Sequence, residues 1–152
     1  GFIALAGIKS PGLSAAPAIA KEAVSLLEKS GLELKAKAEY CDERHVTRFR
    51  HLSADEKRAI VKEKPLYGRI ICRCETVTEG EIVDAIHRPI VPRSIDAIKR
   101  RCNAGMGRCQ GGFCSPRVHE ILARELGVSP IDILMDEDGS YILVGRTKEV
   151  NS

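Results

Sequence analysis

The sequence contains no tryptophan and has three tyrosines and three phenylalanines among its 152 residues. Its hydrophobic core must therefore be built from isoleucine, leucine, valine and alanine. No apolar run approaches the ~20 residues that cross a bilayer, so we expect no transmembrane segment. The basic and apolar regions of a secretory signal are missing from the first residues. With 30 % charged and 43 % hydrophobic residues, the composition is that of a soluble globular protein.

A large excess of one charge is missing as well, since the formal net charge is +3. Nucleic-acid-binding domains usually combine a strong basic patch with a recognisable motif, and the basic region here has few aromatic residues. We therefore expect no nucleic-acid partner. The charge is unevenly distributed: residues 69–117 hold nine Lys and Arg against five Asp and Glu, and residues 118–152 hold three against seven. The basic part contains two close pairs of cysteines, where an anionic metal centre would be stabilised.

These two pairs are the most informative feature of the chain. One residue separates Cys72 from Cys74, and four residues separate Cys109 from Cys114. A C-x-C pair cannot close into a disulfide without strain. Cysteines in a chain without an export signal point to a reducing compartment and to metal binding or catalysis. Four thiolates suit an iron–sulfur cluster or a structural zinc, and C-x-C is an atypical spacing for zinc.

Local signals predict a mostly helical α+β chain in four parts. Residues 1–31 are expected to form a strand at 2–6, a glycine-containing turn, and a helix from 15 to 30 capped by Ser14. Residues 32–64 are expected to be a connector with a short helix. A compact helical module then covers 65–127, and a tail with a short strand at 140–144 covers 128–152.

Helix starts are predicted close to both cysteine pairs. Thr78 and Glu81 form a capping box shortly after Cys74, and Ser115 with Pro116 marks a start directly after Cys114. A second capping box, 53–56, opens the connector helix. The N–H groups at a helix N-terminus lower thiolate pKa, so we expect both pairs to be acidified.

The motifs around the cysteines resemble those of a known family. The segments ICRCE (71–75), TEGEI (78–82) and AGMGRCQGGFC (104–114) are similar to the domain named after bacterioferritin-associated ferredoxin (BFD). That domain is a C-terminal appendage of FAD-dependent glycerol-3-phosphate dehydrogenase-like enzymes. The resemblance covers roughly residues 65–127. It implies a small helical domain that holds a 2Fe–2S cluster through Cys72, Cys74, Cys109 and Cys114.

The opening segment carries a second resemblance. Residues 7–17, GIKSPGLSAAP, look like the last FAD-contacting turn of the D-amino-acid-oxidase-type flavin fold. This implies that backbone N–H groups around Gly12 and Leu13 approach the flavin ring and that Gly7 lies near the ribityl chain. The dinucleotide fingerprint G-x-G-x-x-G and a substrate pocket are absent from the sequence. Because the chain also lacks a start Met, we expect the C-terminal piece of a larger flavoenzyme, without dehydrogenase activity of its own and with FAD bound only in the full-length parent.

The two resemblances together imply an electron-transfer module of an FAD-dependent dehydrogenase. It would relay electrons from reduced flavin in the N-terminal flavin domain of the parent chain to an acceptor, either a quinone or an iron–sulfur protein. The expected location is cytoplasmic, with peripheral association at the inner membrane as a variant for the parent enzyme. The alternative function is a structural or regulatory zinc module without a redox role.

Several further residues have an expected place. Cys102 is expected to be a packed helix residue and Cys41 a free thiol, and the four histidines show no metal-binding spacing. Seven basic residues are expected to offset the charge of an anionic cluster: Arg73, Arg93, Lys99, Arg100, Arg101, Arg108 and Arg117.

Overall fold

The computed structural model describes residues 2–40 and 43–148. The chain divides into two compact units, Gly1–Arg44 and His45–Ser152. Cys41, expected to be a free thiol, lies outside the described residues. The first unit contains helix α1, Gly12–Lys29, all of whose residues are described and none of which is buried.

Two expectations for the first unit are wrong. Residues 2–6 form no strand, and Phe2 is 92 % exposed. A strand needs a neighbour to pair with its backbone groups, and the described part of this unit supplies none. The helix also begins earlier than Ser14, whose Oγ donates to the Pro11 carbonyl at 3.1 Å and does not cap it. Proline fits directly before the first turn because the N–H that it lacks has no helical partner there.

The regular secondary structure of the second unit is mainly helical with a small sheet, which confirms the expected α+β fold class. Its two-stranded antiparallel sheet pairs β1 (Ile70–Cys72) with β2 (Val77–Thr78), with Ile70 opposite Thr78 and Cys72 opposite Val77. Short 3₁₀ turns cover Phe49–His51, Pro65–Gly68 and Pro130–Asp132. The elements in chain order are α2 (Ala54–Glu63), β1 (Ile70–Cys72), β2 (Val77–Thr78), α3 (Glu79–Ile86), α4 (Ile95–Cys102) and α5 (Ser115–Leu126).

Local capping signals fix where these helices begin. Both predicted capping boxes are present, one at the start of α2 and one in which Thr78 and Glu81 open α3. Ser94 caps α4 by accepting from the Ala97 N–H at 3.2 Å. Helix α5 starts one residue earlier than expected, so that Cys114 itself is the N-cap. The second cysteine pair therefore ends directly at a helix start.

The core is aliphatic, as the scarcity of aromatic residues requires. Ile82, Ile98 and Leu122 are completely buried where α3, α4 and α5 meet. Cys72 and Cys114 belong to the same cluster of buried residues, so the metal-binding motifs are anchored in the core. In the described ranges, every helix falls short of the length and apolar character that a membrane-spanning segment requires.

The short strand expected at 140–144 is not formed. Instead, Leu134 makes one parallel bridge to Ser94 and one antiparallel bridge to Tyr141. Tyr141 is 65 % exposed and Val144 is 94 % exposed, so this segment leaves much of its apolar surface unburied. Pairing at a single position is too short to count as a strand.

Candidate metal centre

The structure brings the two cysteine pairs together. Cys72 ends β1, Cys74 lies in the following turn, Cys109 lies in the loop between α4 and α5, and Cys114 occupies the N-cap position of α5. The Sγ atoms of Cys74 and Cys109, 35 residues apart in sequence, are separated by 3.7 Å. The thiol of Cys114 interacts with that of Cys72 and, electrostatically, with that of Cys109. All four thiols therefore converge on one region.

The four thiols differ in their access to solvent. Cys72 is 1 % exposed and Cys114 is 2 % exposed, whereas Cys74 is exposed and Cys109 is half-buried. The site thus has a closed side against the core and an open side formed by Cys74 and Cys109. Such a side shortens the distance between a redox centre and an electron donor or acceptor at the surface.

Backbone N–H groups surround the Cys109 sulfur. Hydrogen bonds from the Phe113 backbone, from the Cys74 side chain and from the backbone of Gly111 and Gly112 lower the Cys109 pKa. The loop can direct these donors at one atom because Gly111 adopts a φ of +85°, which is favourable for glycine. Such hydrogen bonds to thiolate sulfur stabilise an anionic cluster and tune its potential.

The expected lowering of thiolate pKa is wrong for Cys114. Its burial raises the pKa to about 12, and the nearby thiols of Cys72 and Cys109 act in the same direction. The helix N-terminus does not overcome this desolvation. Since metal binding requires thiolates, a bound cation would have to supply the missing countercharge. The buried half of the site is thus suited to metal and poorly suited to free thiolate.

Two glycines allow the backbone to approach the sulfur atoms. A Cβ on Gly107 would lie 2.2 Å from the Cβ of Cys74 and 3.3 Å from its Sγ. A Cβ on Gly111 would lie 2.4 Å from the Ser115 Oγ. A larger residue at Gly107 requires movement of the loop that carries Cys109, and one at Gly111 would displace the Ser115 hydroxyl and be strained at a φ of +85°.

A cavity of about 620 Å³ borders the open side of the site. Cys74, Cys109 and Phe113 line it, together with two of the seven basic residues that were expected to offset cluster charge, Arg73 and Arg117. Three of the seven pair with carboxylates: Arg100 with Asp136, Lys99 with Asp96, and Arg117, although it lines the cavity, with Glu120.

Zinc and a 2Fe–2S cluster place four thiolates differently. In the described part of the chain, no group of three or more His, Cys, Asp or Glu side chains is placed to hold a single metal ion. Structural zinc needs all four sulfurs around one point, each about 2.3 Å from the metal. A 2Fe–2S cluster spreads its four thiolates over two irons. The approach of Cys74 to Cys109 and of Cys114 to Cys72 agrees with the donor set of a 2Fe–2S cluster.

Cys102 and His119 do not line the cavity beside the thiols. Cys102 is a packed residue of α4, as expected: it is 3 % exposed, its thiol donates to the Ile98 carbonyl at 3.3 Å, and burial raises its pKa to about 11. His119 of α5 is buried, and its Nε2 has no hydrogen-bond partner among the described residues. Its burial follows from the apolar face of α5, a signal that was available in the sequence.

The three residues expected to contact flavin lie in the first unit. Gly12 and Leu13 are the first two residues of α1, so their N–H groups have no partner within the helix. Gly7 has a φ of +74°, and the Leu13 side chain is 93 % exposed. Flavin contact at these residues stays a prediction.

Comparison with known proteins gives the family. Residues 70–124 match the sequence model of the BFD-like [2Fe-2S] binding domain. The chain is 56 % identical over 149 residues to a glycerol 3-phosphate dehydrogenase of Caloramator mitchellensis, covering 97 % of this chain and 31 % of that protein. Over 76 residues it is 37 % identical to one subunit of the anaerobic glycerol-3-phosphate dehydrogenase of Escherichia coli (strain K12), covering 50 % of this chain and 14 % of that one.

A third relative is named for a different class of substrate. One subunit of the opine oxidase of Rhizobium meliloti is 40 % identical over 82 residues, covering 53 % of this chain and 14 % of that protein. The chain thus spans about a third or less of the length of these curated relatives. No solved structure matches it significantly. With their four thiols converging on one region, residues 70–124 of this chain belong to the BFD-like [2Fe-2S] binding domain family.

Proposed function

We propose that this chain is the electron-transfer module of an FAD-dependent, glycerol-3-phosphate dehydrogenase-like oxidoreductase, with Cys72, Cys74, Cys109 and Cys114 as cluster ligands. The observation that carries the proposal is the 3.7 Å approach of the Cys74 and Cys109 sulfurs, which joins the two motifs across 35 residues. A 2Fe–2S cluster carries one electron at a time, so it links a two-electron flavin to one-electron acceptors.

The residues around the four thiols have different roles in the proposed function. The backbone donors of residues 111–113 lower the Cys109 pKa and so favour its thiolate form. Cys72 and Cys114 place the inner half of the site in the core, away from water. Cys74 and Cys109 form the open side, where a donor or acceptor can approach. Arg73 and Arg117 border that side, where Arg73 favours an anionic centre and Arg117 is paired with Glu120.

The partner domain, substrate and acceptor follow from the relatives and from the first unit. Two of the relatives are glycerol-3-phosphate dehydrogenases, which supports glycerol 3-phosphate as the parent's substrate. We assign the unpaired N–H groups of Gly12 and Leu13, together with Gly7, to FAD in the parent's flavin domain. The unburied helix α1 would pack on that domain. The acceptor is a quinone or an iron–sulfur protein, and the location is cytoplasmic or peripheral at the inner membrane.

Substitution of single cysteines tests the proposal. Cys74→Ser and Cys109→Ser, each made in the full chain and isolated without oxygen, should abolish the visible absorbance bands. Cys102→Ser is the matched control and should leave them intact, because Cys102 is packed in α4. Chemically reduced flavin should bleach the bands of the wild-type protein. A colourless wild type with one zinc per chain, or bands that persist in Cys109→Ser, would contradict the proposal.

A further inference from the structure

Cys74 and Cys109 are close enough to form a covalent bond with each other. Their Sγ atoms lie 3.7 Å apart, and a disulfide needs the two sulfurs about 2.0 Å apart. Side-chain rotation can cover part of this difference, because Cys74 is exposed and Cys109 is half-buried. The loop that carries Cys109 has glycines at 105, 107, 111 and 112, so its backbone can adjust as well. The pair can therefore link without disruption of the aliphatic core.

The two buried thiols form a second close pair, since Cys114 interacts with Cys72. Proximity alone therefore does not select one pair. Cys72 is 1 % exposed and Cys114 is 2 % exposed. Thiol–disulfide exchange requires that the oxidant reach the sulfur atom, and a small disulfide in solution cannot reach these two. Solvent access thus selects Cys74 and Cys109.

We propose that Cys74 and Cys109 form a reversible disulfide whenever no cluster is bound, and that this disulfide blocks cluster loading. The inference rests on the proposed function, because it concerns the regulation of the same four thiols. A disulfide removes two of the four thiolates that a 2Fe–2S cluster needs, so the two states exclude each other. The oxidation state of one exposed pair then decides whether the site can take up a cluster.

The oxidant belongs to the class of small disulfides, of which glutathione disulfide is the probe. The thiolate of one cysteine attacks a sulfur of glutathione disulfide and displaces one glutathione thiolate, which leaves a mixed disulfide. The second cysteine attacks the protein sulfur of this mixed disulfide and displaces the second glutathione. Two electrons leave the pair, and the two glutathiones carry away the two protons. Excess glutathione reverses both steps, as is usual for exposed disulfides.

Mapping the thiols by mass spectrometry tests the proposal. The full cluster-loaded chain is treated without oxygen with an iron chelator and glutathione disulfide, and the remaining thiols are then alkylated. Cys41, which lies outside the described residues, is replaced by serine in every protein. Cleavage after the arginines at 73, 101 and 108 places Cys72, Cys74 and Cys102 in separate peptides. Cys109 and Cys114 stay in one peptide, in which fragmentation distinguishes them.

The expected product is a pair of peptides joined through Cys74 and Cys109, two hydrogens lighter than the sum of its parts. Cys72, Cys102 and Cys114 should be found alkylated. Without the chelator the linked peptide should be lost, because both sulfurs are then engaged as ligands. After removal of the oxidant, the linked chain should regain its visible bands with iron and stoichiometric sulfide only once a phosphine has reduced the disulfide.

Two variants locate the bond. Cys102→Ser is the matched control and should give the same linked peptide, because Cys102 is packed in α4 and is 3 % exposed. In Cys109→Ser the linked peptide should be absent, and glutathione should stay attached to Cys74, since no second thiol is within reach to displace it.

Three results would overturn the proposal. One is a link between Cys72 and Cys114, or a mixture of links that includes Cys102, as an unfolded chain would give. Another is attachment of glutathione without any link in wild type. The third is full loading of the linked chain without reductant. These results leave the electron-transfer function intact; that function fails, and the proposed regulation with it, if the reduced wild type takes up no cluster.

Discussion

A Cβ placed on Gly107 would lie 2.2 Å from the Cβ of Cys74. The loop after α4 therefore touches the turn after β1 at a point where there is no room for a side chain. This contact sets how closely Cys109, two residues further along, can approach Cys74. A site built on distant parts of the chain depends on such a fixed contact.

Replacing Gly107 with alanine should prevent assembly of the metal centre. The added methyl group must push the loop away from Cys74, and the separation of 3.7 Å between the Cys74 and Cys109 sulfurs would increase. We expect the iron content and visible absorbance per chain to fall to a small fraction of the wild-type values. Gly145→Ala is the control, because nothing lies within 4 Å of a Cβ at that position. Full iron loading of Gly107→Ala would show that assembly of the metal centre does not depend on this contact.

Cys102 should change the response of stability to alkaline pH. Its pKa is raised by burial from an ordinary value of 9.0 to about 11, so the folded state holds the proton more tightly than the unfolded state. The stability that this gives is fully present below pH 9 and is lost as the pH rises towards 11. Relative to Cys102→Ala, wild type should lose roughly 2 kcal/mol over that range. Denaturant unfolding of both proteins at a series of pH values measures this difference. If the free energy of unfolding depends on pH in the same way in wild type and Cys102→Ala, the prediction is wrong.

Glu79 should contribute more to stability than other paired carboxylates of the domain. It is 2 % exposed and lies 3.0 Å from Arg69 Nη1 and 2.8 Å from Arg124 Nη2, although the second approach lacks the angle of a hydrogen bond. Glu79→Gln removes the negative charge that both arginines face. Because the arginines still reach water, we expect the free energy of unfolding to fall by only about 1–3 kcal/mol. Glu120 and Arg117 form an exposed pair, which should contribute less. Glu120→Gln should change the free energy of unfolding by under about 1 kcal/mol. Equal losses of unfolding free energy in Glu79→Gln and Glu120→Gln would contradict this prediction.

Sequence reasoning succeeded where structure is set by neighbouring residues. The capping box of Thr78 and Glu81 fixes the start of α3 within four residues, and the structure contains it as expected. The pairing of the C-x-C motif with the second motif was predictable from the shared need of thiolates for metal. Strands at 2–6 and 140–144 failed because a strand depends on a distant partner that no local pattern reveals.

Charge placement was predictable only in part, for the same reason. The basic excess of residues 69–117 is visible in the sequence, but its direction in space is not. Arg73 and Arg117 reach the cavity beside the thiols, whereas Arg100 turns to Asp136. A cavity lined by Arg48, Lys64 and Arg88 could not be foreseen, because Arg48 and Lys64 come from the segment interpreted as a connector. Folding brings that segment against α3 through the Phe49 N–H and Glu81.

Metal and sulfide analysis of the 152-residue chain, isolated without oxygen, tests most directly whether the four thiols share one cluster. We expect about two irons and two acid-labile sulfides per chain, with a paramagnetic signal on one-electron reduction. One zinc per chain without sulfide, in protein shown to have been protected from air and given iron, would contradict the assignment.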